Sequence, residues 1–204
     1  PVAGIGHSSP VICDDQIWLT TAVEEGCSLH AVCIECGTGR MVHDVELFRV
    51  EEPGRIHAKN SYATPTPLID GDRVYVHFGV IGTACLSTGS GELVWKQTGL
   101  AYTQPYAGAS SPVLYEDVII LNCDGTDEQF VVALNKWNGQ IVWQTPRAHL
   151  ENRRPPARPR TAALRRHVGD RTAGGCSQPQ RDGRSLRRVR AHWCRPRRWH
   201  NRPT

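Results

Sequence analysis

The sequence predicts an all-β fold of three successive four-stranded antiparallel units, and two observations carry that expectation. Three stretches share one grammar. Ser9-Pro10-Val11-Ile12, Thr66-Pro67-Leu68-Ile69 and Ser111-Pro112-Val113-Leu114 each open a unit that passes through an acidic turn and two apolar strands. Each unit closes on a turn ending in Gly39, Gly91 or Gly139, with His43, Trp95 or Trp143 four residues on. The second observation is that no 3.6-residue apolar periodicity runs through residues 1–146, so helices are not expected there. A period of 45 to 57 residues with fixed internal punctuation marks a repeat architecture, in which each unit hides its apolar faces against its neighbours. Four short strands per unit make one blade of a β-propeller, so a fragment of about three blades is expected. A sandwich, the competing all-β arrangement, would not return the same turn chemistry at the same place in successive segments.

In the first unit, residues 16–21 and 28–34 are rich in β-branched or apolar residues, and Asp14-Asp15 punctuates the chain before them. The second unit reads Leu68-Ile69, then Asp70-Gly71-Asp72, then an apolar strand over 73–78; its Asp-Gly supplies the positive φ of a tight hairpin. The third reads Val113-Leu114-Tyr115, Glu116-Asp117, then a strand over 118–121. A further hairpin completes each unit, over 33–42, 85–95 and 133–143.

Ala133-Leu134-Asn135-Lys136-Trp137-Asn138-Gly139-Gln140-Ile141-Val142-Trp143 resembles the blade signature of the PQQ-like, or quinoprotein-type, β-propeller repeats: Ala-x-Asp, three residues, then Gly-x-x-x-Trp. The second copy, from Cys85 to Trp95, keeps Gly91 and Trp95 but replaces the acid by Ser87. The first, from Cys33 to His43, keeps Glu35 and Thr38-Gly39 but puts His43 where tryptophan belongs. Glycine permits the left-handed turn, the acid or amide at Glu35 or Asn135 caps it, and the tryptophan wedges its apolar area between blades. A WD-type propeller would need Trp-Asp at a strand end, which is absent. The resemblance covers residues 1–147 and implies a recognition or scaffold module that holds a protein or small ligand on one propeller face. Its enzymatic alternative is a fragment of a quinone-dependent alcohol dehydrogenase, with PQQ on the axis beside calcium. In several such enzymes the quinone lies against adjacent cysteines, a pair this chain lacks. A periplasmic or secreted location is implied by the resemblance alone. No catalytic or metal-ligating residue is assigned.

Composition changes near Pro146. Residues 1–146 hold 7 Lys and Arg against 17 carboxylates, a net of −10, whereas residues 147–204 hold 17 Arg, no Lys and 3 carboxylates, a net of +14. The stretch 148–204 has too few apolar residues to offset its ordering entropy, and disorder is expected. It reads as a basic arm, with Trp193 and Trp199 able to stack on bases, or as a slipped reading frame. The absence of lysine favours the slip over a nucleic-acid-binding arm. If Arg184-Ser185-Leu186-Arg187 is encoded CGC-AGC-CTA-CGA followed by C, a one-nucleotide shift reads Ala-Ala-Tyr-Asp, the missing blade signature. The nucleotide sequence decides this. No apolar run is long enough to span a membrane as a helix. Three blades alone leave two raw sheet edges, from which aggregation or chaperone dependence is expected.

Candidate chemistry is sparse. Gly6-His7-Ser8-Ser9-Pro10 has the outline of a nucleophile elbow, but Gly108-Ala109-Ser110-Ser111-Pro112 repeats it without a histidine at the same blade position, which marks it as architectural. Cys33-Ile34-Glu35-Cys36 has redox or zinc spacing but lies in the blade turn, and no second pair follows within the repeats. Cys13, Cys33, Cys85 and Cys123 read as small buried hydrophobes on strands. His7, His30, His43, His57 and His77 are scattered, without metal-ligand spacing. Two polar loops remain, 57–65 and 122–127, and their Lys59, Asn60, Asp124 and Asp127 are the candidate ligand residues, although Asp124-Gly125-Thr126-Asp127 is also a hairpin turn.

Overall fold

A computed structural model describes residues 1–148, and they form three four-stranded antiparallel sheets. Blade 1 comprises β1 (Val11–Cys13), β2 (Gln16–Val23), β3 (Ser28–Glu35) and β4 (Met41–Arg49) in that spatial order. Blade 2 comprises β5 (Leu68–Asp70), β6 (Arg73–His77), β7 (Thr83–Ser87) and β8 (Leu93–Gln97). Blade 3 comprises β9 (Val113–Tyr115), β10 (Val118–Asp124), β11 (Gln129–Asn135) and β12 (Ile141–Pro146). Among the described residues the helical turns are two 3₁₀ pieces, Glu24–Gly26 and Gly79–Ile81, and no helix is long and apolar enough to cross a membrane. The Arg/Pro-rich stretch expected to be disordered or out of frame lies, from residue 149 on, outside the described residues.

The repeated turns have one geometry. Gly39, Gly91 and Gly139 adopt φ of 69°, 71° and 72°, the left-handed region where a Cβ is strained. Asn135 Oδ1 accepts the amides of Trp137 and Asn138 at 2.9 and 3.3 Å, whereas Glu35 Oε2 accepts the Thr38 hydroxyl at 2.5 Å. The first hairpin of each blade turns through Asp14 (φ 51°), Gly71 (φ 58°) or Glu116 (φ 50°), so two acidic residues adopt the conformation that glycine supplies in blade 2.

Packing runs between blades. Trp18, Ala31 and Cys33 of blade 1 meet Val74, Val76 and Leu86 of blade 2 in one buried cluster. Tyr75, Cys85 and Trp95 of blade 2 meet Ile119, Leu121, Val132 and Leu134 of blade 3 in another. Removing these side chains from water is the main favourable contribution to the fold. Trp95 fills its expected wedge, being 7% exposed, whereas Trp143 is 40% exposed because no described residue stacks beyond blade 3. Cys33, Cys85 and Cys123 are buried as expected; Cys13, on the short innermost strand, is only half-buried.

Candidate functional site

Neighbouring strands are antiparallel, so the β2–β3 and β4–β5 type connections of every blade emerge on one face and the tight turns on the other. The loop face comprises 24–27, 50–67, 78–82, 98–112 and 125–128, together with the segment leading into β1. Lys59, Asn60 and Asp127 lie on it, and Asp124 ends β10 at its edge. Glu35, Gly39, Gly91, Asn135 and Gly139 lie on or beside the opposite turns, which separates structural repeat positions from candidate ligand positions.

Three of the four ligand candidates already serve as loop struts. The Asp127 carboxylate accepts the amide and hydroxyl of Thr103, each at 2.7 Å, and the Glu128 amide at 2.7 Å. Those bonds, led by the Thr103 hydroxyl, hold its pKa down to about 2. Asp124 pairs with Arg147, its Oδ2 at 2.6 Å, and accepts the Asn122 amide at 2.6 Å. Asn60 donates to the Tyr106 carbonyl at 2.7 Å and its Oδ1 accepts the Thr64 hydroxyl at 2.5 Å, tying loop 50–67 to loop 98–112. Lys59 is exposed; its backbone amide donates to His57 Nδ1 at 3.1 Å. Gly125 donates to the Glu128 carbonyl at 2.8 Å, so 124–127 is the hairpin turn as well as part of the loop face.

Of the four ligand candidates only Asn60 lines the cleft of about 760 Å³ that opens beside blade 1. The cleft is lined by Gly4 and Ile5 from the segment before β1, by Ala22, Val23 and Glu24–Gly26 from the end of β2 and its turn, and by Ile56, His57 and Tyr62 from the loop after β4. Glu24, Glu25 and Gly26 follow one another in the left-handed region, at φ of 50°, 56° and 98°. Arg49 holds Glu24 at 2.7 Å, and the missing side chain of Gly26 admits the Tyr62 ring, which would lie 2.3 Å from a Cβ there. Strained backbone of this kind concentrates at working sites. A shallower hollow adjoins the cleft, where Glu24, Glu25, Glu51 and Glu52 line an acidic shelf around Tyr62. Sequence reasoning missed Ile5 and Glu24–Gly26; the Glu-Glu-Gly between two apolar strands was the available signal, since a left-handed turn there is what glycine permits.

The other candidates are structural. Ser8 Oγ accepts the Thr20 amide at 3.0 Å and Ser111 Oγ, next to Ser110, accepts the Thr66 amide at 2.9 Å, so both elbow-like segments fasten strands or blades. Burial pushes the Cys33 thiol up to about 11, which removes its nucleophilicity at neutral pH, while Cys36 is exposed in the turn. His30 faces Asp44 at 2.7 Å, His43 stacks on Trp18, and His57 meets the Tyr106 ring edge-on. Among the described residues no three His, Cys, Asp or Glu side chains come together as a metal site.

A family model described as outer membrane protein assembly factor BamB matches residues 14–169. A search of curated proteins finds no match. Among solved structures, a europium-containing methanol dehydrogenase aligns at TM-score 0.51 with 12% identity, over 69% of this chain and 25% of its own. The quinohemoprotein alcohol dehydrogenase ADHIIG from Pseudomonas putida HK5 aligns at TM-score 0.51 with 11% identity, over 70% and 21%. BamB from Moraxella catarrhalis aligns at TM-score 0.47 with 19% identity, over 70% and 37%. This chain therefore spans between a fifth and two-fifths of the length of these structures. With its three blades, their shared glycine turns and the matching family model, the chain belongs to the PQQ-like β-propeller repeat family whose model is described as outer membrane protein assembly factor BamB.

Proposed function

We propose that the chain is a non-catalytic recognition or scaffold module that holds a protein partner on its loop face. The observation that carries this reading is the meeting of the segment before β1, the β2–β3 turn and the loop after β4 around the apolar cleft at Ile5, Val23, Ile56 and Tyr62, with an acidic shelf at its margin. Loops braced on a rigid sheet scaffold present a fixed surface, which suits recognition. The carboxylates that could act as bases are engaged instead as struts, Asp127 on Thr103 and Asp124 on Arg147. The description of the matching family, an assembly factor, supports a protein partner.

A photo-reactive amino acid at Ala58 or Lys59 is expected to capture a partner that the same group at Ser90 or Gln140, on the turn face, does not. Equal capture from both faces would contradict the loop-face assignment. The enzymatic alternative is tested by adding PQQ and calcium to the chain and following quinone binding and dye-linked alcohol oxidation. Saturable quinone binding with oxidation would overturn the proposal.

A further inference from the structure

The cleft and the acidic shelf are two hollows of one surface, and Glu24, Glu25 and Tyr62 line both. Backbone bonds hold the two together. The Val50 amide donates to the Cys27 carbonyl at 2.8 Å, which sets Glu51 and Glu52, at the start of the loop after β4, beside the turn that carries Glu24 and Glu25. The Tyr62 hydroxyl donates to the Gly54 carbonyl at 2.7 Å, so the ring shared by both hollows is held at its tip. The walls are tied inward as well. Ile5 pairs with Ala22, which packs in the cluster common to blades 1 and 2, and the His7 and Ser8 amides donate to the Ala63 carbonyl at 3.0 and 3.1 Å. The cleft walls are therefore fastened to the joint between blades 1 and 2.

The shelf carries more charge than its neighbours neutralise. Arg49 holds Glu24 and Glu46, each at 2.7 Å, so one guanidinium serves two carboxylates. Among the described residues Glu25, Glu51 and Glu52 are exposed, enter no ion pair and make no metal site with their neighbours. Residues 1–146 carry a net charge of −10, so the field at this surface repels phosphates and attracts cations. The adjoining cleft is apolar, and Ile5 stays 68% exposed while lining it. We propose that cleft and shelf together take an extended segment of a partner protein in which large apolar side chains stand within a few residues of two or more Lys or Arg. The apolar side chains enter between Ile5, Val23 and Ile56; the cations meet Glu25, Glu51 and Glu52, with the Tyr62 ring available for a cation–π contact. An extended chain advances about 3.3 Å per residue, so side chains a few positions apart reach two adjoining hollows. The inference rests on the loop-face reading and specifies the chemistry of its partner.

The probes are two short fluorescein-labelled peptides, one with Phe-Leu before Arg-Lys-Arg and one with the order reversed, titrated with the full chain by fluorescence anisotropy. One order is expected to bind saturably, with a dissociation constant below about 0.1 mM, and to weaken as salt rises. Replacing Arg-Lys-Arg by Glu-Gln-Glu, or Phe-Leu by Ser-Ser, is expected to weaken binding by about tenfold or more. Glu25→Gln, Glu51→Gln and Glu52→Gln together are expected to weaken it by about tenfold and to flatten the salt dependence, since an exposed ion pair contributes up to about fivefold. Ile5→Ser is expected to weaken it by about tenfold at every salt concentration, and Glu92→Gln, on the turn face, to leave it unchanged. Binding of neither order, equal binding of the Ser-Ser peptide, or binding indifferent to the carboxylate variant would overturn the proposal. Self-association of the chain that the carboxylate variant abolishes would give the site to a second copy instead. Circular dichroism checks the fold of each variant. Where one is unfolded, benzoyl-phenylalanine in place of the peptide's Phe decides on the unchanged chain: cross-links to Ile5, Val23 or Ile56 support the site, and cross-links elsewhere refute it. If the peptides fail while a photo-reactive group at Ala58 or Lys59 still captures a protein, the loop face stands and the basic segment is wrong. If both fail, the loop-face reading falls with it.

Discussion

Burial in blade 2 keeps His77 neutral: the residue is 1% exposed, Nδ1 lies 2.9 Å from Thr83 Oγ1, and loss of hydration pushes its pKa down to about 4. The unfolded chain, with an ordinary imidazole, takes up this proton first as pH falls. The associated stability is therefore fully present above about pH 6.5 and is lost progressively towards pH 4, amounting to about 3 kcal/mol. Thr20 holds the equivalent place in blade 1, so His77→Thr is compatible with the repeat. The stability difference between the parent and His77→Thr is expected to shrink by roughly that amount between pH 7 and pH 4, measured by urea unfolding at both values. A difference independent of pH would show that His77 is not held neutral. Asp127 works in the opposite place, exposed on the loop face, where its bonds to Thr103 persist until pH falls towards 2. Asp127→Asn is expected to speed amide exchange through residues 98–112 while leaving strands β10 and β11 protected, read by hydrogen exchange with mass spectrometry.

The blade interface shows how one contact is made with two different residues. Trp95 Nε1 reaches the Lys136 carbonyl, and the matching carbonyl in blade 2, Thr88, receives Gln16 Nε2 at 3.0 Å. An indole at position 43 would compete with Gln16 for that acceptor, which gives a reason for His43 in the tryptophan place. Trp95→Ala is expected to cost about 3–5 kcal/mol, the range for deleting a buried large aromatic. Gln16→Ala leaves the Thr88 carbonyl without its donor and is expected to cost about 1–3 kcal/mol. Adding His43→Trp is expected to restore part of that loss, and thermal unfolding of the three chains measures it. The glycine turns, their caps and the strand pairs around them were legible in the sequence because they rest on residues within ten positions of one another. The Gln16 substitution for an indole was not, because its acceptor lies 72 residues away. Likewise β4 extends to Arg49 beyond its twins, its buried Leu47 and Phe48 masked in sequence by Asp44 and Glu46, and the left-handed Glu24 and Glu25 depend on Arg49 and Tyr62.

At the scale of the molecule, the repeat and the all-β architecture were legible, while the cleft was not. It is assembled from the segment before β1, the β2–β3 turn and the loop after β4, which are separated in sequence and meet at the loop end of blade 1. The defining property of the fold is that one rotation about a common axis carries each blade onto the next. Thr38, Ser90 and Asn138 are exposed and occupy the same place in their turns, so they report that rotation. Nitroxides introduced pairwise through a non-natural amino acid, in chain diluted with unlabelled copies, give the three distances by pulsed electron resonance. Equal distances for 38–90 and 90–138, with 38–138 shorter than their sum, are the expected result. Unequal neighbouring distances, or a 38–138 distance equal to that sum, would contradict three blades arranged around one axis.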